Sequence, residues 1–412
     1  MKHSPVLLVG AALLLSPLAT PAQAAATILH NFTGGASDGA YPHGSLTLSG
    51  STLYGMTNEG GSNNMGALFR MNTDGTGFGV LHSFTGGASD GALPEGTLTL
   101  SGSKFYGMTR RGGSNDVGTI FRMNTDGSNF ELLHTFANGP SNGASPLGSL
   151  TLSGTKLYGA TSLGGSNNLG TIFSMNTDGT GFSLLRSMSN AMGDSAQPQA
   201  CTLTLSGSKL FGMGPGGNGA GAIFSLNTDG TGFGLIHTFA ASDGAGPVGS
   251  LLLSGSELYG MTSVGGGDGD TGVIFSVNTD GTGFGLLHSF AGGSNDGKFP
   301  LGSLMLSDAK LYGMTFLGGG SGDLGTLFSI GTDGTGFGLL ERFGGAPADG
   351  ARPQYSDVTI SADGSTLYGM TVIGGTANKG VVFSRAVPEP GACVLLGFGA
   401  FLLSARRRNA RA

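Results

Sequence analysis

The stretch Leu53-Tyr54-Gly55-Met56 decides the fold, because its pattern of a large apolar residue, an aromatic residue and a glycine occurs seven times in the chain. Successive copies are separated by 52, 52, 53, 48, 53 and 56 residues, with the aromatic residue at Tyr54, Tyr106, Tyr158, Phe211, Tyr259, Tyr312 and Tyr368. A period of about 50 residues with several short β-type runs per copy predicts a closed repeat architecture.

Each copy contains four short apolar runs separated by turn residues. In the first copy the runs are 46–48, 53–56, 67–71 and 78–84. The alternation and the glycine-rich gaps predict four β-strands of five to seven residues. We expect the Asp74-Gly75 pair to form a primed hairpin turn, with Phe78 packed beneath it. The strands are apolar on both faces, which favours blades stacked around an axis over an open sandwich.

The two ends of the repeat region complement each other. The last copy has no fourth run, and the segment Ile28-Leu29-His30-Asn31-Phe32 near the N-terminus matches the fourth run Leu81-His82-Ser83-Phe84. Pairing that segment into the last copy closes a ring and removes exposed sheet edges. The sequence therefore predicts an all-β, seven-bladed β-propeller of four-stranded blades, closed by the N-terminal strand.

The first 24 residues read as a secretory signal peptide. Lys2 precedes an apolar run at 6–18, and Ala22-Gln23-Ala24 has the small-x-small pattern of a cleavage site. We expect cleavage after Ala24, with Ala26 as the alternative. The apolar run is short for an N-terminal membrane anchor, which is the competing interpretation.

The last 26 residues combine three elements in order. Pro388-Glu389-Pro390 precedes an apolar stretch at 392–405, and a basic cluster that includes Arg406, Arg407 and Arg408 follows. This order resembles the PEP-CTERM sorting signal. The resemblance implies a short transmembrane helix that holds the protein transiently at the inner membrane, processing by an exosortase, and delivery to the cell surface or extracellular matrix. The domain boundaries are then 1–24, 25–386 for the propeller, and 387–412.

The amino-acid composition and charge exclude several classes of protein. Glycine makes up 82 of 412 residues without a three-residue period, which excludes collagen, and a patterned apolar content of 38% argues against disorder. Without both terminal segments the net charge falls from −6 to −10, so we predict that nucleic acid is not a partner. Cys201 is then the single remaining cysteine, and no intrachain disulfide is possible.

The repeat region broadly resembles Kelch-type blades, because a Leu-Tyr-Gly run is followed by a Gly-Gly pair. Residues 28–386 more closely resemble the bacterial GloVer tandem repeat of the choice-of-anchor proteins. That resemblance implies a repeat domain joined to a variable C-terminal anchor, and it implies no known activity.

Candidate binding residues lie in the loops between copies. Six of these loops carry an acidic or amide residue before a glycine, namely Asp38, Asp90, Asn142, Asp243, Asp296 and Asp349. If the fourth strand is outermost, these loops share one rim of the propeller with the loops between the second and third strands. Loops on a rigid scaffold favour binding, so we expect this long-loop rim to be the binding surface.

Two interpretations of these six residues remain open. They form a ring of oxygen ligands for calcium or a glycan, or they form Asx-type turns. We favour the turns, because a calcium ion needs about six to eight oxygens at one point and a ring spaces them apart. The sequence thus predicts no cofactor and leaves calcium open. Five histidines, one per blade, are assigned to packing: His30, His82, His134, His237 and His288.

The sequence contains no zinc spacing, no phosphate-binding loop and no nucleophile motif. We therefore predict an exported, non-enzymatic propeller that serves as a cell-surface or matrix binding or structural module, with exopolysaccharide or envelope proteins as partners. The alternative is a secreted propeller enzyme acting on polysaccharide, as a lyase or hydrolase. A cluster of non-repeated acids, His or Tyr at the mouth of the central channel would favour that alternative. Specificity is expected where the copies differ, at 188–201, 265–270 and 318–323.

Overall fold

A computed structural model describes residues 25–189, 198, 201–215, 219–267, 269–320 and 322–388. All regular elements in these ranges are β-strands. Seven antiparallel sheets follow one another around a ring, each with four consecutive principal strands paired in chain order, except that the seventh takes its fourth strand from the N-terminus. The predicted seven-bladed β-propeller is confirmed.

The first strand of each blade lies at the axis and the second lies beside it. The first strands are Thr47–Ser49, Thr99–Ser101, Thr151–Ser153, Thr204–Ser206, Leu252–Ser254, Met305–Ser307 and Thr359–Ile360. The second strands, which carry the repeated phrase, are Thr52–Thr57, Lys104–Thr109, Lys156–Thr161, Lys209–Gly214, Glu257–Val264, Lys310–Thr315 and Thr366–Thr371.

The third and fourth strands complete each blade outward. The third strands are Ala67–Asn72, Thr119–Asn124, Thr171–Asn176, Ala222–Asn227, Val273–Asn278, Thr326–Gly331 and Val381–Ala386. The fourth strands are Gly79–Ser83, Glu131–Thr135, Ser183–Ser187, Gly234–Thr238, Gly285–Ser289, Gly338–Arg342 and, for the last blade, Thr27–Asn31.

The N-terminal strand closes the ring as predicted. Thr27–Asn31 pairs antiparallel with Val381–Ala386, with Thr27 opposite Ser384 and Asn31 opposite Val381. The N–H of Phe32 then donates to Gly380 O at 3.0 Å. This pairing covers the edge that the third strand of the last blade would otherwise expose.

The prediction of five to seven residues per strand is wrong for the first strands, which have three residues or, in the last blade, two. Close to the axis, backbone N–H groups donate to side chains of the next blade instead of to a strand of their own blade. The N–H of Ser45, for example, donates to Thr97 Oγ1 at 2.8 Å. The first strand therefore starts only where the blades have diverged.

The predicted primed hairpin turn is also wrong. Gly75 N–H donates to Asn72 O at 3.0 Å, and among residues 72–75 only Gly75 has a positive φ, of 89°. A primed turn needs positive φ at its central residues, so this is a type I turn followed by a left-handed glycine. Asp74 caps the loop, because its Oδ1 accepts from Thr76 N at 2.9 Å and Thr76 Oγ1 at 2.7 Å.

Packing between blades forms the core. Leu53, Phe69 and Met71 of the first blade pack with Tyr368 and Val382 of the last, and six similar clusters follow around the ring. The repeated phrase requires glycine at its third position for a steric reason. A Cβ at Gly55 would lie 2.5 Å from the Phe69 ring, and the same conflict recurs in the other blades.

The aromatic residue after each Asp-Gly turn packs across blades. Phe78 stacks on His30 of the last blade, with ring centroids 3.7 Å apart and an interplanar angle of 7°. Equivalent stacks join His82 to Phe130, His134 to Phe182, His237 to Phe284, and His288 to Phe337. The histidines are thus packing residues of the blade interfaces, rather than members of one cluster.

The loops of the long-loop rim are held by short ladders that sequence reasoning missed. Gly39–Ala40 of the interblade loop pairs with Glu59–Gly60, which follows the second strand. Similar pairings occur at Gly91–Ala92, Gly143–Ala144, Gly297–Lys298 and Gly350–Ala351. Backbone pairing therefore links the two sets of loops on this rim.

The two segments that the sequence predicts to be targeting signals lie largely outside the described residues. The predicted signal peptide at 1–24 is not among them, and neither is the predicted transmembrane helix at 392–405. Within the described ranges, no helix has the length and apolarity to cross a membrane.

Candidate functional site

The rim aspartates hold their own loops. Asp38 Oδ2 accepts from Thr33 N at 2.9 Å and Thr33 Oγ1 at 2.7 Å, while Oδ1 accepts from Gly39 N at 2.7 Å and lies 3.0 Å from His30 Nε2. Asp90, Asp243 and Asp296 pair in the same way with His82, His237 and His288. Asn142 lies 3.3 Å from His134 Nε2, and Asp349 accepts from two backbone N–H groups.

These contacts lower the pKa of two of the aspartates. Burial raises the pKa of Asp38, but hydrogen bonds from His30 and Thr33 outweigh it, and Asp90 shows the same balance with His82 and Thr85. The six rim residues stay in separate loops. Within the described ranges, no three His, Cys, Asp or Glu side chains are grouped to hold a metal. A role for the six in binding calcium or a glycan stays a prediction.

Of the predicted sorting residues, only Pro388 is described. It lines a surface groove on the opposite rim together with Lys310, Tyr312 and Asp363. The remaining residues of that prediction, Glu389, Pro390, Arg406, Arg407 and Arg408, lie outside the described part of the chain.

The chemically irregular residues meet instead at the mouth of the axial channel. A cavity of about 380 Å³ opens there, on the long-loop rim, and residues of blades one, two, three and seven line it. Its walls include His43, Glu95, Arg110, Gln354 and Tyr355. This volume lies within the range of small-molecule sites in proteins, about 300 to 1,000 Å³.

A partly buried ion pair organises one wall of this cavity. Arg110 Nη1 donates to Glu95 Oε1 at 3.0 Å, with the Glu95 side chain 6% exposed and that of Arg110 49% exposed. Burial raises the pKa of Glu95, and the charge and hydrogen bond of Arg110 oppose that rise. The outer part of the guanidinium remains free to meet a ligand.

His43 is neutral at physiological pH. Burial, helped by the charge of Arg110, lowers its pKa to about 4. Its Nδ1 lies 4.0 Å from Glu95 Oε2 and is buried without a hydrogen-bond partner in the structure. Tyr355 of the last blade lies beside it, with ring centroids 6.0 Å apart. A neutral imidazole has one hydrogen-bond donor and one acceptor, so it can donate to a ligand hydroxyl or accept from it.

Below the mouth, a closed ring of hydrogen bonds crosses all seven blades. In each blade one backbone N–H donates to the side-chain oxygen of the next blade, at 2.7 to 3.1 Å. We call this set the axial ring; its members are Ser45, Thr97, Ser149, Thr202, Ser250, Ser303 and Asp357. Asp357 is the only carboxylate in it.

Sequence reasoning missed both the mouth and the axial ring, although a signal for each exists. The residue after the interblade proline changes chemistry from copy to copy: His43, Glu95, Leu147, Gln199, Val248, Leu301 and, in the last blade, Gln354. The axial ring position is Ser or Thr except at Asp357. Comparing the copies at these positions would have singled out His43, Glu95 and Asp357.

The repeats identify the family. Residues 19–218 and 189–383 match the Gloeobacter/Verrucomicrobia repeat. The chain belongs to this family. The tandem-repeat character that the sequence predicts is thereby confirmed. No curated protein matches the chain.

Solved structures share the propeller fold at low identity. Oligogalacturonate lyase from Vibrio parahaemolyticus has a TM-score of 0.57 and 12% identity, over 88% of this chain and 94% of that one. A putative 6-phosphogluconolactonase from Bacteroides fragilis has a TM-score of 0.50 and 18% identity, over 78% of this chain and 88% of that one. Identities this low show the fold alone.

Proposed function

We propose that this protein is an exported β-propeller that binds a saccharide at the mouth of its axial channel. The observation that carries the proposal is the mouth cavity, where His43, Glu95, Arg110, Gln354 and Tyr355 from three blades line one concave site. The repeated turns are explained by the needs of folding. Polar and aromatic side chains of different chemistry gathered in a concave site are explained by ligand binding.

The chemistry of the cavity suits a sugar. Arg110 donates, Glu95 accepts, and the amide of Gln354 and the neutral imidazole of His43 do both. Tyr355 adds a partly exposed aromatic side chain, on which an apolar sugar face can pack. Because Glu95 already neutralises Arg110, the cavity has little net charge to attract nucleic acid, in keeping with the negative charge of the whole chain.

A glycan array followed by calorimetry tests this proposal. We expect binding to a bacterial exopolysaccharide, lost in Tyr355→Ala and strongly weakened in Arg110→Gln. Arg111→Gln is the matched control, because Arg111 pairs with Asp116 at the exposed surface. Failure to bind any polysaccharide would overturn the proposal, and so would binding of an envelope protein that survives Tyr355→Ala.

Export and sorting form a separate part of the proposal. The signal-peptide pattern at 1–24 and the Pro388-Glu389-Pro390, apolar, Arg-cluster order support secretion, transient inner-membrane anchoring and exosortase processing. Cell fractionation with terminal sequencing tests it. We expect a mature protein that begins near residue 25 at the cell surface or in the medium. An unprocessed protein in the cytoplasm would contradict it.

A polysaccharide-processing enzyme is the second candidate. It is supported by Glu95, His43 and Tyr355 at the channel mouth, the place where a cluster of non-repeated acids, His or Tyr is expected for an enzyme. In a β-elimination, neutral His43 would take the proton beside a uronate carboxylate held by Arg110, and the bond to the leaving sugar oxygen would break to give an unsaturated product. Ultraviolet absorbance of that product, measured on uronate polymers with the wild type and with His43→Gln, tests this candidate.

A further inference from the structure

The axial cavity beneath the mouth is a site of its own. Its volume is about 20 Å³, and its walls come from all seven blades. The members of the axial ring line it, together with Glu95 and Tyr355. A space of this size holds one water-sized particle, and only where polar atoms surround it.

The charges around this cavity do not balance within the described residues. Two carboxylates, Glu95 and Asp357, face it. Arg110 compensates Glu95, whereas no Lys, Arg or His side chain of the described chain forms an ion pair with Asp357. Asp357 is partly exposed at this cavity, and burial raises the pKa of its carboxyl. A cation bound beside the carboxylate would favour its ionised form, because a nearby opposite charge stabilises it.

The neighbouring atoms are oxygens of the kind that hard cations prefer. Six hydroxyl-bearing side chains and one carboxylate make up the axial ring. Each hydroxyl oxygen accepts one backbone N–H and keeps a second lone pair. Ca²⁺ takes about six to eight oxygen ligands from carboxylates, other protein oxygens and water.

We propose that the axial cavity binds a hard cation, Ca²⁺ foremost, with Asp357 as its anionic ligand and axial ring hydroxyls as the others. The ion supplies the positive charge that the cavity otherwise lacks. It also ties the last blade to the first, because Asp357 and Ser45 stand at the junction where the ring closes. This site differs from the rim aspartates and does not depend on saccharide binding.

The purified protein, stripped with chelator, tests the proposal by thermal unfolding in Ca²⁺, with K⁺ as a second arm. We expect Ca²⁺ to raise the melting temperature by several degrees, since a ligand that binds only the folded state stabilises it. The rise should vanish in Asp357→Asn and persist in the rim control Asp90→Asn. A response to K⁺ alone would overturn the choice of Ca²⁺.

A second readout uses tyrosine, since the chain has no tryptophan. Tb³⁺ in the cavity should show luminescence excited through Tyr355, saturating at one ion per chain and reduced in Tyr355→Phe. Asp357→Ser, which restores the side chain of other blades, replaces Asp357→Asn if that variant fails to fold. The proposal is overturned if no ion changes the melting temperature, or if the change survives in both Asp357 variants.

Discussion

Ser45 Oγ accepts the backbone N–H of Asp357 at 2.7 Å, although the two residues are 312 positions apart. This bond closes the axial ring between the last blade and the first. The outer edge of the same blade is closed by the N-terminal strand. The ring is therefore closed at two places: by a backbone-to-side-chain hydrogen bond at the axis and by a backbone ladder at the perimeter.

Ser45→Ala should lower stability by about 1 kcal/mol, because it leaves the partly buried N–H of Asp357 without its acceptor. Chemical denaturation measures this change. Ser49→Ala is the control, since Ser49 ends the strand that follows Ser45 and is exposed. Equal losses in the two variants would show that the closing bond adds nothing.

Phe78→Leu should loosen the N-terminal strand, because it removes the ring stacked on His30 and loses about 1 kcal/mol of aromatic contact beyond area. Hydrogen exchange over Thr27–Asn31 should accelerate. Phe130→Leu removes the equivalent stack on His82, away from the closure, and should leave that segment unchanged. Faster exchange at 27–31 in both variants would contradict the assignment.

Arg110→Gln should cost about 3 kcal/mol, because it strands the buried Glu95 carboxylate without its partner. Arg111→Gln breaks an exposed pair and should cost less than about 1 kcal/mol. Adding Glu95→Gln to Arg110→Gln should recover much of the loss, which thermal unfolding of all four proteins can check. No recovery would mean that Arg110 stabilises by packing alone.

His43 should make stability depend on pH between about 4 and 6.5. Its folded-state pKa is lowered from 6.5 to about 4, mainly by burial, so the unfolded chain binds the proton first as pH falls. Stability is then lost as pH drops through that window, by about 3 kcal/mol in total. His43→Gln should flatten the curve of unfolding free energy against pH there. An unchanged slope would contradict a buried neutral imidazole.

Asp90 should make stability depend on pH in a more acidic range than His43 does. Its folded pKa lies below 3.8, since hydrogen bonds from His82 and Thr85 outweigh burial. The stability it contributes is present above about pH 4 and is lost as pH falls through the folded pKa. Asp90→Asn should therefore be less stable than the wild type at neutral pH, with a gap that narrows in acid. The natural amide at Asn142 shows that the loop accepts this change.

The parts of the fold that follow from local rules were predictable from the sequence. The blade count follows from a phrase repeated in every copy, and the closure follows from the missing fourth run of the last copy and its match at 28–32. The turn at Asp74-Gly75 was placed correctly, but its primed type was wrong. The length of the first strands was wrong because Ser45 and its equivalents bond across blades. The stacking of Phe78 on His30 of the adjoining blade is likewise a contact between blades that no single copy shows.

The seven repeats of Leu-aromatic-Gly by themselves determined an all-β ring, because a repeated local pattern must build the same blade each time and identical blades bury their faces only by stacking. Only the tertiary structure decided which polar and aromatic side chains lie together. His43, Glu95, Arg110, Tyr355 and Asp357 meet because equivalent positions of distant copies converge on the axis. That convergence is a property of the closed ring, and no local interaction along the chain encodes it.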